Sequence, residues 1–191
     1  MTGRFDYPVA LDLSGVPVLV VGAGPIAARK VAGLAATGAR VRVVAPDVSA
    51  QLDLDQVAEL RRRAYEVGDL DGMRLVVTAT GRRDVDAAVA ADATAAGLWV
   101  NAADQPEDCS FILPAIARNG PLSIAVSTGG ASPALARRLR DRAATLLTDE
   151  VVALAADLAT RRRQLRAQGG STEDVDWSPH LDPVLPPPTT P

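Results

Sequence analysis

The chain is poor in the side chains that many enzymes rely on. Its 191 residues contain one cysteine, Cys109, and one histidine, His180. A single cysteine excludes an internal disulfide framework and fits a reducing compartment, so the expected location is the cytoplasm. A single histidine excludes any site that needs two imidazoles, and His180 lies in a proline-rich tail. Aromatic residues make up only 3%, too few for a platform that stacks single-stranded nucleic acid. Lysine occurs once, at Lys30, among 20 basic residues; the arginine bias is put down to genome composition. A net charge of −3 gives no basic excess for a nucleic-acid partner. No apolar run reaches the ~18 residues of a membrane span, and residues 1–8 lack the basic-then-apolar layout of a secretory signal.

What the chain does have is alternation. Val16–Val21 is a β-branched run of buried-strand length, and residues 25–37 carry Ile26, Ala27, Val31, Leu34 and Ala35 at helical spacing up to Gly38. Val41–Val44 and Leu75–Ala79 read as strands, Leu54–Arg63 as a polar helix, Val85–Ala96 as a helix closed by Gly97, and Leu98–Asn101 as a further strand. Strands alternating with helices over short connections predict a Rossmann-type, doubly wound parallel sheet. Beyond it the pattern changes. Ser110–Ala117 and Leu122–Ser127 read as two strands joined by Asn119-Gly120-Pro121, and Ser132-Pro133 opens a helical stretch to about Gln168, with a second cap at Thr148. The expected layout is a cofactor domain over 1–104, a strand and glycine-loop module over 105–145, a helical region over 146–168, and a disordered tail over 169–191.

The first strand runs into Gly22-Ala23-Gly24-Pro25-Ile26-Ala27, which is G-x-G-x-x-A between a strand and a helix. Gly22 permits the tight turn, Gly24 allows close approach of a diphosphate, and Ala27 lets the helix lie near the strand. The alternative is a plain tight turn. An acid that would bond the ribose comes two residues late, at Asp47 after Pro46, while Arg40 and Arg42 could suit a 2′-phosphate. NAD is preferred to NADP. Ala79-Thr80 and Asn101 end later strands and should border the nicotinamide.

No Tyr-x-x-x-Lys pair is present, and Cys109 has no histidine nearby, so it reads more readily as a small buried residue than as a nucleophile. The remaining candidate is Asp104, at the sheet's carboxyl edge, where partial burial would raise its pKa toward that of a general base. Its plainer role is a turn-forming aspartate ahead of Gln105-Pro106. A second strand–glycine-loop–helix arrangement, Ser127-Thr128-Gly129-Gly130-Ala131-Ser132, offers backbone amides and hydroxyls to a carboxylate or phosphate. Equally, it is a loop joining sheet to helix, with Arg137, Arg138, Arg140 and Arg142 as a solvated face.

Several stretches together resemble the precorrin-2 dehydrogenase family, the amino-terminal module of sirohaem synthases. They are 7–13, 18–30 with the glycine loop, Val43–Pro46, Asn101–Asp104, Ser110–Ala115 and Leu122–Pro133. The resemblance covers about residues 5–145, and its last two blocks are not shared by Rossmann proteins in general. It implies NAD-dependent oxidation of precorrin-2 to sirohydrochlorin, with Asp104 as catalytic aspartate. It also implies cofactor contacts at Pro25-Ile26 and Pro46-Asp47, a dimerisation module, and a substrate loop at Ser127-Thr128, to which Gly129, Gly130 and Ser132 belong. Some members also insert ferrous iron, so ferrous or cobaltous ion is an implied further substrate. The chain departs from the family at Gly81, often acidic there, and beyond about Arg142. A different class of function, an NAD(H)-binding redox sensor without turnover, would have no use for the second glycine loop and Asp104. A tetrapyrrole-delivering scaffold would bind substrate equally well without NAD.

Overall fold

A computed structural model describes residues 4–173 and 175–187. The chain divides into two compact units, the first ending at Leu113 and the second beginning at Pro114. The first unit is a five-stranded sheet in the order β3-β2-β1-β4-β5. Its strands are β1 (Pro17–Val21), β2 (Arg40–Val44), β3 (Glu59–Arg61), β4 (Leu75–Thr78) and β5 (Trp99–Ala102). Every pairing is parallel, as in Val18 opposite both Val41 and Leu75. Helix α1 (Pro25–Ala35) connects β1 to β2, and α2 (Arg83–Ala95) connects β4 to β5.

The apolar run of β1 explains the layering. Val18 and Val20 point into one core with Ala27 and Val31 of α1, while Leu19 and Val21 point into another with Val89, Ala90 and Ala93 of α2. Residues of a strand alternate between faces, so a continuously apolar strand requires cover on both. Each fully buried Val or Leu contributes about 1.5–3 kcal/mol over leaving it exposed. Because successive strands leave β1 in opposite directions, the chain reverses between β1 and β4, the position at whose carboxyl ends open sheets of this kind take their ligands.

Two expectations are corrected in this unit. Leu54–Arg63 is not a helix: a short 3-10 turn (Leu54–Gln56), begun by Asp53 accepting from the Asp55 amide, leads into β3. Strand pairing prevails because Ala58 N–H donates to Val41 O and Ala45 N–H to Arg61 O. The alternating charges of Glu59, Arg61 and Arg63 then close a network with Arg42 and Asp69. Ser110–Leu113 is not part of a hairpin strand either. Ser110 N–H donates to Val100 O and Cys109 is buried against the sheet, so the first unit continues nine residues past Asp104.

The second unit holds the antiparallel hairpin β6 (Ala115–Asn119) and β7 (Leu122–Val126), turned at Gly120, followed by α3 (Pro133–Ala144) and α4 (Asp149–Ala167). Ser132 caps α3 by accepting from Leu135 N–H, and Thr148 caps α4 by accepting from Val151 N–H, as the sequence predicts. Within the expected disordered tail, Asp176 accepts from Ser178 N–H and Pro179 follows, giving a short helix α5 (Ser178–Leu181). Residues 174 and 188–191 of that tail, and 1–3, lie outside the described residues. Among the described residues no helix is long and apolar enough to cross a membrane.

Candidate active site

The two glycines of the first turn do different work. Gly22 has φ +105°, and a Cβ there would lie 2.5 Å from Ala79 O and 2.7 Å from Ala79 C. Only glycine lets β1 leave the sheet in contact with the end of β4. Gly24, by contrast, has an ordinary extended conformation and would bring a Cβ to no atom within 4 Å. The protein itself does not require glycine at 24. What an absent side chain provides there is open backbone, and α1 begins immediately after it without a side-chain cap. Uncapped first-turn amides beside an open glycine fit a dinucleotide diphosphate. Pro25 and Ile26 are exposed at this turn.

At the end of β2, Pro46 and Asp47 are exposed, and the chain then returns to the glycine turn through Ser49 N–H donating to Ala23 O (3.1 Å). Arg42 donates to Glu59 Oε2 (2.6 Å) and Asp69 O (3.2 Å), and Arg40 lies at the opposite end of the strand. The arginines weighed for a 2′-phosphate are therefore engaged or distant from the crevice.

At the end of β4, Ala79 is buried and Thr80 is half-buried. The Thr80 hydroxyl and amide both donate to Asp86 Oδ1 (2.9 and 3.0 Å), and the Thr78 hydroxyl donates to the same oxygen. Thr80 is thus held from within, and it shapes the crevice through its backbone. Asp86 was missing from the sequence reading, although its signal was there: it shares the i, i+3, i+4, i+7 face of α2 with buried Val89, Ala90 and Ala93. A carboxylate on a buried face needs donors, and the strand end supplies them.

At the end of β5, Asn101 is buried with both side-chain atoms engaged: its amide donates to Phe111 O (3.0 Å), and its oxygen accepts from Lys30 Nζ (3.1 Å). Asp104 follows in the left-handed region at φ +59°, a conformation that aspartate tolerates better than most residues. Its carboxylate is exposed and makes no hydrogen bond or ion pair among the described residues, which corrects the expectation of partial burial. The segment beyond is tied down by Arg4, whose guanidinium donates to Pro106 O, Glu107 O and Cys109 O (3.1, 3.0 and 2.7 Å). Burial pushes the Cys109 thiol up against the opposing pull of the Ala102 backbone, Arg4 and Lys30. The thiol donates to Ala102 O and Gln105 O, the contacts of a small buried residue.

Glycine turn, Asp47, Thr80, Asn101 and Asp104 all stand at the carboxyl edge of the same sheet. The second glycine loop belongs to the other unit. Gly129 and Gly130 have φ +61° and +89°. The Thr128 hydroxyl accepts from Ser132 N–H (3.0 Å) and donates to Ser132 O (3.2 Å), which closes the loop on itself, while Ser132 Oγ serves the helix cap. Ser127 Oγ accepts from Gly129 N–H (3.1 Å), and its own proton has no acceptor among the described residues. Among the described residues no group of three or more His, Cys, Asp or Glu side chains is placed to hold a metal ion.

Residues 9–115 match the model of an NAD(P)-binding family, and residues 119–142 match that of a sirohaem biosynthesis protein central region. A solved structure described as "SirC, precorrin-2 dehydrogenase" superposes with a TM-score of 0.67 at 30% identity, covering 93% of this chain and 87% of that one. The chain belongs to the precorrin-2 dehydrogenase and sirohaem synthase family. Within that family it is 44% identical over 168 residues to the siroheme synthase of Methylococcus capsulatus (strain ATCC 33009 / NCIMB 11132 / Bath), covering 83% of this chain. It is 42% identical over 184 residues to that of Methylobacillus flagellatus (strain ATCC 51484 / DSM 6875 / VKM B-1610 / KT), covering 93% of this chain. The matches span 35% and 39% of the length of those two relatives. The first unit, with its glycine turn at the chain reversal, is the NAD(P)-binding part.

Proposed function

We propose that this protein oxidises precorrin-2 to sirohydrochlorin with NAD as acceptor, a step in sirohaem or cobalamin formation. The observation that carries the reading is the open, uncapped turn at Gly24 sharing one sheet edge with the exposed carboxylate of Asp104. The 30%-identical precorrin-2 dehydrogenase supports the choice of substrate. When bound, NAD supplies the hydride acceptor.

The chain's own residues account for the rest. First-turn amides of α1 hold the diphosphate, and Pro46 and Asp47 border the adenosine ribose. Gly22 packed on Ala79, and Thr80 fastened to Asp86, fix the wall of the crevice. Removing a hydride leaves a cationic macrocycle, which becomes neutral by losing a proton. The Asp104 carboxylate takes that proton and passes it to water. The glycine loop of the second unit, taken by itself, offers the Ser127 hydroxyl and backbone amides to a carboxylate.

We infer further that two copies pair through the second unit. A lone two-strand hairpin is marginal in water, and among the described residues of that unit only Ala136 is buried, while Leu135, Leu139 and Leu146 are 42–56% exposed. The single, buried thiol supports a cytoplasmic setting.

The test is anaerobic mixing of the protein with NAD and precorrin-2 while following the nicotinamide absorbance band. Growth of the NADH band with formation of sirohydrochlorin is expected. Binding of NAD without growth would make the chain a redox sensor and overturn the proposal. Addition of ferrous or cobaltous ion to the product, in a second arm, reads metal insertion.

A further inference from the structure

The nine ion pairs among the described residues are all made by arginine. Lys30, the one lysine of the chain, makes none. It lies half-buried on α1, and its Nζ donates a single hydrogen bond, to the neutral Asn101 side chain at 3.1 Å. Asn101 cannot turn away, because its amide is committed to Phe111 O. The ammonium therefore has a fixed position with two of its three N–H donors open. Burial draws its proton affinity down, with the charges of Cys109 and Asp104 opposing. A half-buried cation with no carboxylate at ion-pair distance among the described residues is costly, and an anion in contact with it offsets that cost.

The position selects among anions. In the proposed reading a diphosphate would be held by the uncapped first turn of α1, by Gly24 and Ile26. Lys30 is four residues beyond Ile26, about 6 Å along the helix, and it turns to the end of β5, where Asp104 stands. On that reading, an anion at this place would belong to the molecule on which Asp104 acts.

We propose that Lys30 is a substrate-binding residue whose ammonium, held by Asn101, receives a peripheral carboxylate of the tetrapyrrole beside Asp104. The identity of the anion rests on the proposed dehydrogenase activity. An ammonium is a compact point charge and suits a single carboxylate oxygen approaching past Asn101.

Steady-state kinetics of Lys30→Met and Lys30→Arg, together with NMR of the full chain carrying 13C-lysine, test this. Loss of one charge-assisted contact should raise KM for precorrin-2 about tenfold or more in Lys30→Met. In that variant kcat and the KM for NAD should change little, and Lys30→Arg should recover most of the loss. The single lysine gives one Cε–Hε resonance, which should shift on adding sirohydrochlorin and shift much less on adding NAD alone, whose nicotinamide would border Asn101 but bring no anion to Lys30. A shift with NAD alone as large as that with sirohydrochlorin would assign Lys30 to the cofactor, and no shift with sirohydrochlorin would leave it a structural tie; either overturns the proposal. An unchanged KM in a folded Lys30→Met also overturns it, and if that variant does not fold the NMR titration of the unsubstituted chain decides. Absence of NADH formation by the unsubstituted protein contradicts the activity itself, whereas normal turnover with an indifferent Lys30 contradicts this inference alone.

Discussion

At the scale of single residues, Asp104 is left-handed and unpartnered among the described residues. Its conformation dictates which variant is informative. Alanine at φ +59° would add strain of about 1–2 kcal/mol, which mixes a folding effect with a chemical one. Asparagine tolerates the same conformation and removes only the charge. Asp104→Asn should keep the melting temperature of the unsubstituted protein and lower the single-turnover rate of NADH formation about 10²–10⁴-fold, the range of a lost general base. Retention of the full rate would remove Asp104 from the chemistry. The position of Asp104 was readable in the sequence, since it follows an apolar strand at the edge where ligands bind. Its exposure was not, because burial there depends on how the segment up to Cys109 is drawn in by Arg4 from the far end of the unit.

At the scale of elements, the strands and helices with a continuous apolar face declared themselves, and β3 did not. Leu54, Val57 and Leu60 have a spacing that a helix can also use, so only the partners decide. Those partners are the β2 backbone and the charges that meet around Asp69, which is fully buried. Burial alone would raise the Asp69 carboxyl. Hydrogen bonds from Arg63, the Glu66 amide and Arg61 prevail and hold it well below the ordinary 3.8. A carboxyl with a depressed folded-state pKa contributes stability that is fully present above its unfolded value and is lost as pH falls through the folded one. Asp69→Asn should therefore cost about 1.5–3 kcal/mol near neutrality, the worth of hydrogen bonds to a charged group. That difference should shrink below about pH 4 in denaturant titrations. An equal deficit at every pH would mean that lost packing, and not charge, is responsible. The tie between Lys30 and Asn101 was hidden for a similar reason: the two residues come from distant elements, and no local pattern announces such a pair.

At the scale of the molecule, the two units differ in how complete they are. The first closes two apolar cores on either side of its sheet. The second buries almost nothing and leaves leucines of α3 in water. Sedimentation at micromolar concentration should give a dimer, and Leu139→Arg should shift it toward the monomer while leaving NAD affinity in the first unit unchanged. A monomeric unsubstituted protein would contradict pairing. The order of sheet, glycine turn and hairpin was legible because each follows from periodicity and turn chemistry within a few residues. The boundary between units was not, since Ser110–Leu113 carries apolar residues suited to either neighbour.

The account as a whole depends on a dinucleotide lying against the backbone at Gly24. Calorimetric titration of Gly24→Val with NAD, alongside its melting temperature, tests this most directly, because a Cβ at this position meets no protein atom within 4 Å. The prediction is an unchanged fold with NAD affinity weakened about tenfold or more, as expected when a side chain blocks a diphosphate from helix amides. A variant that folds normally and binds NAD as tightly as the unsubstituted protein would contradict it.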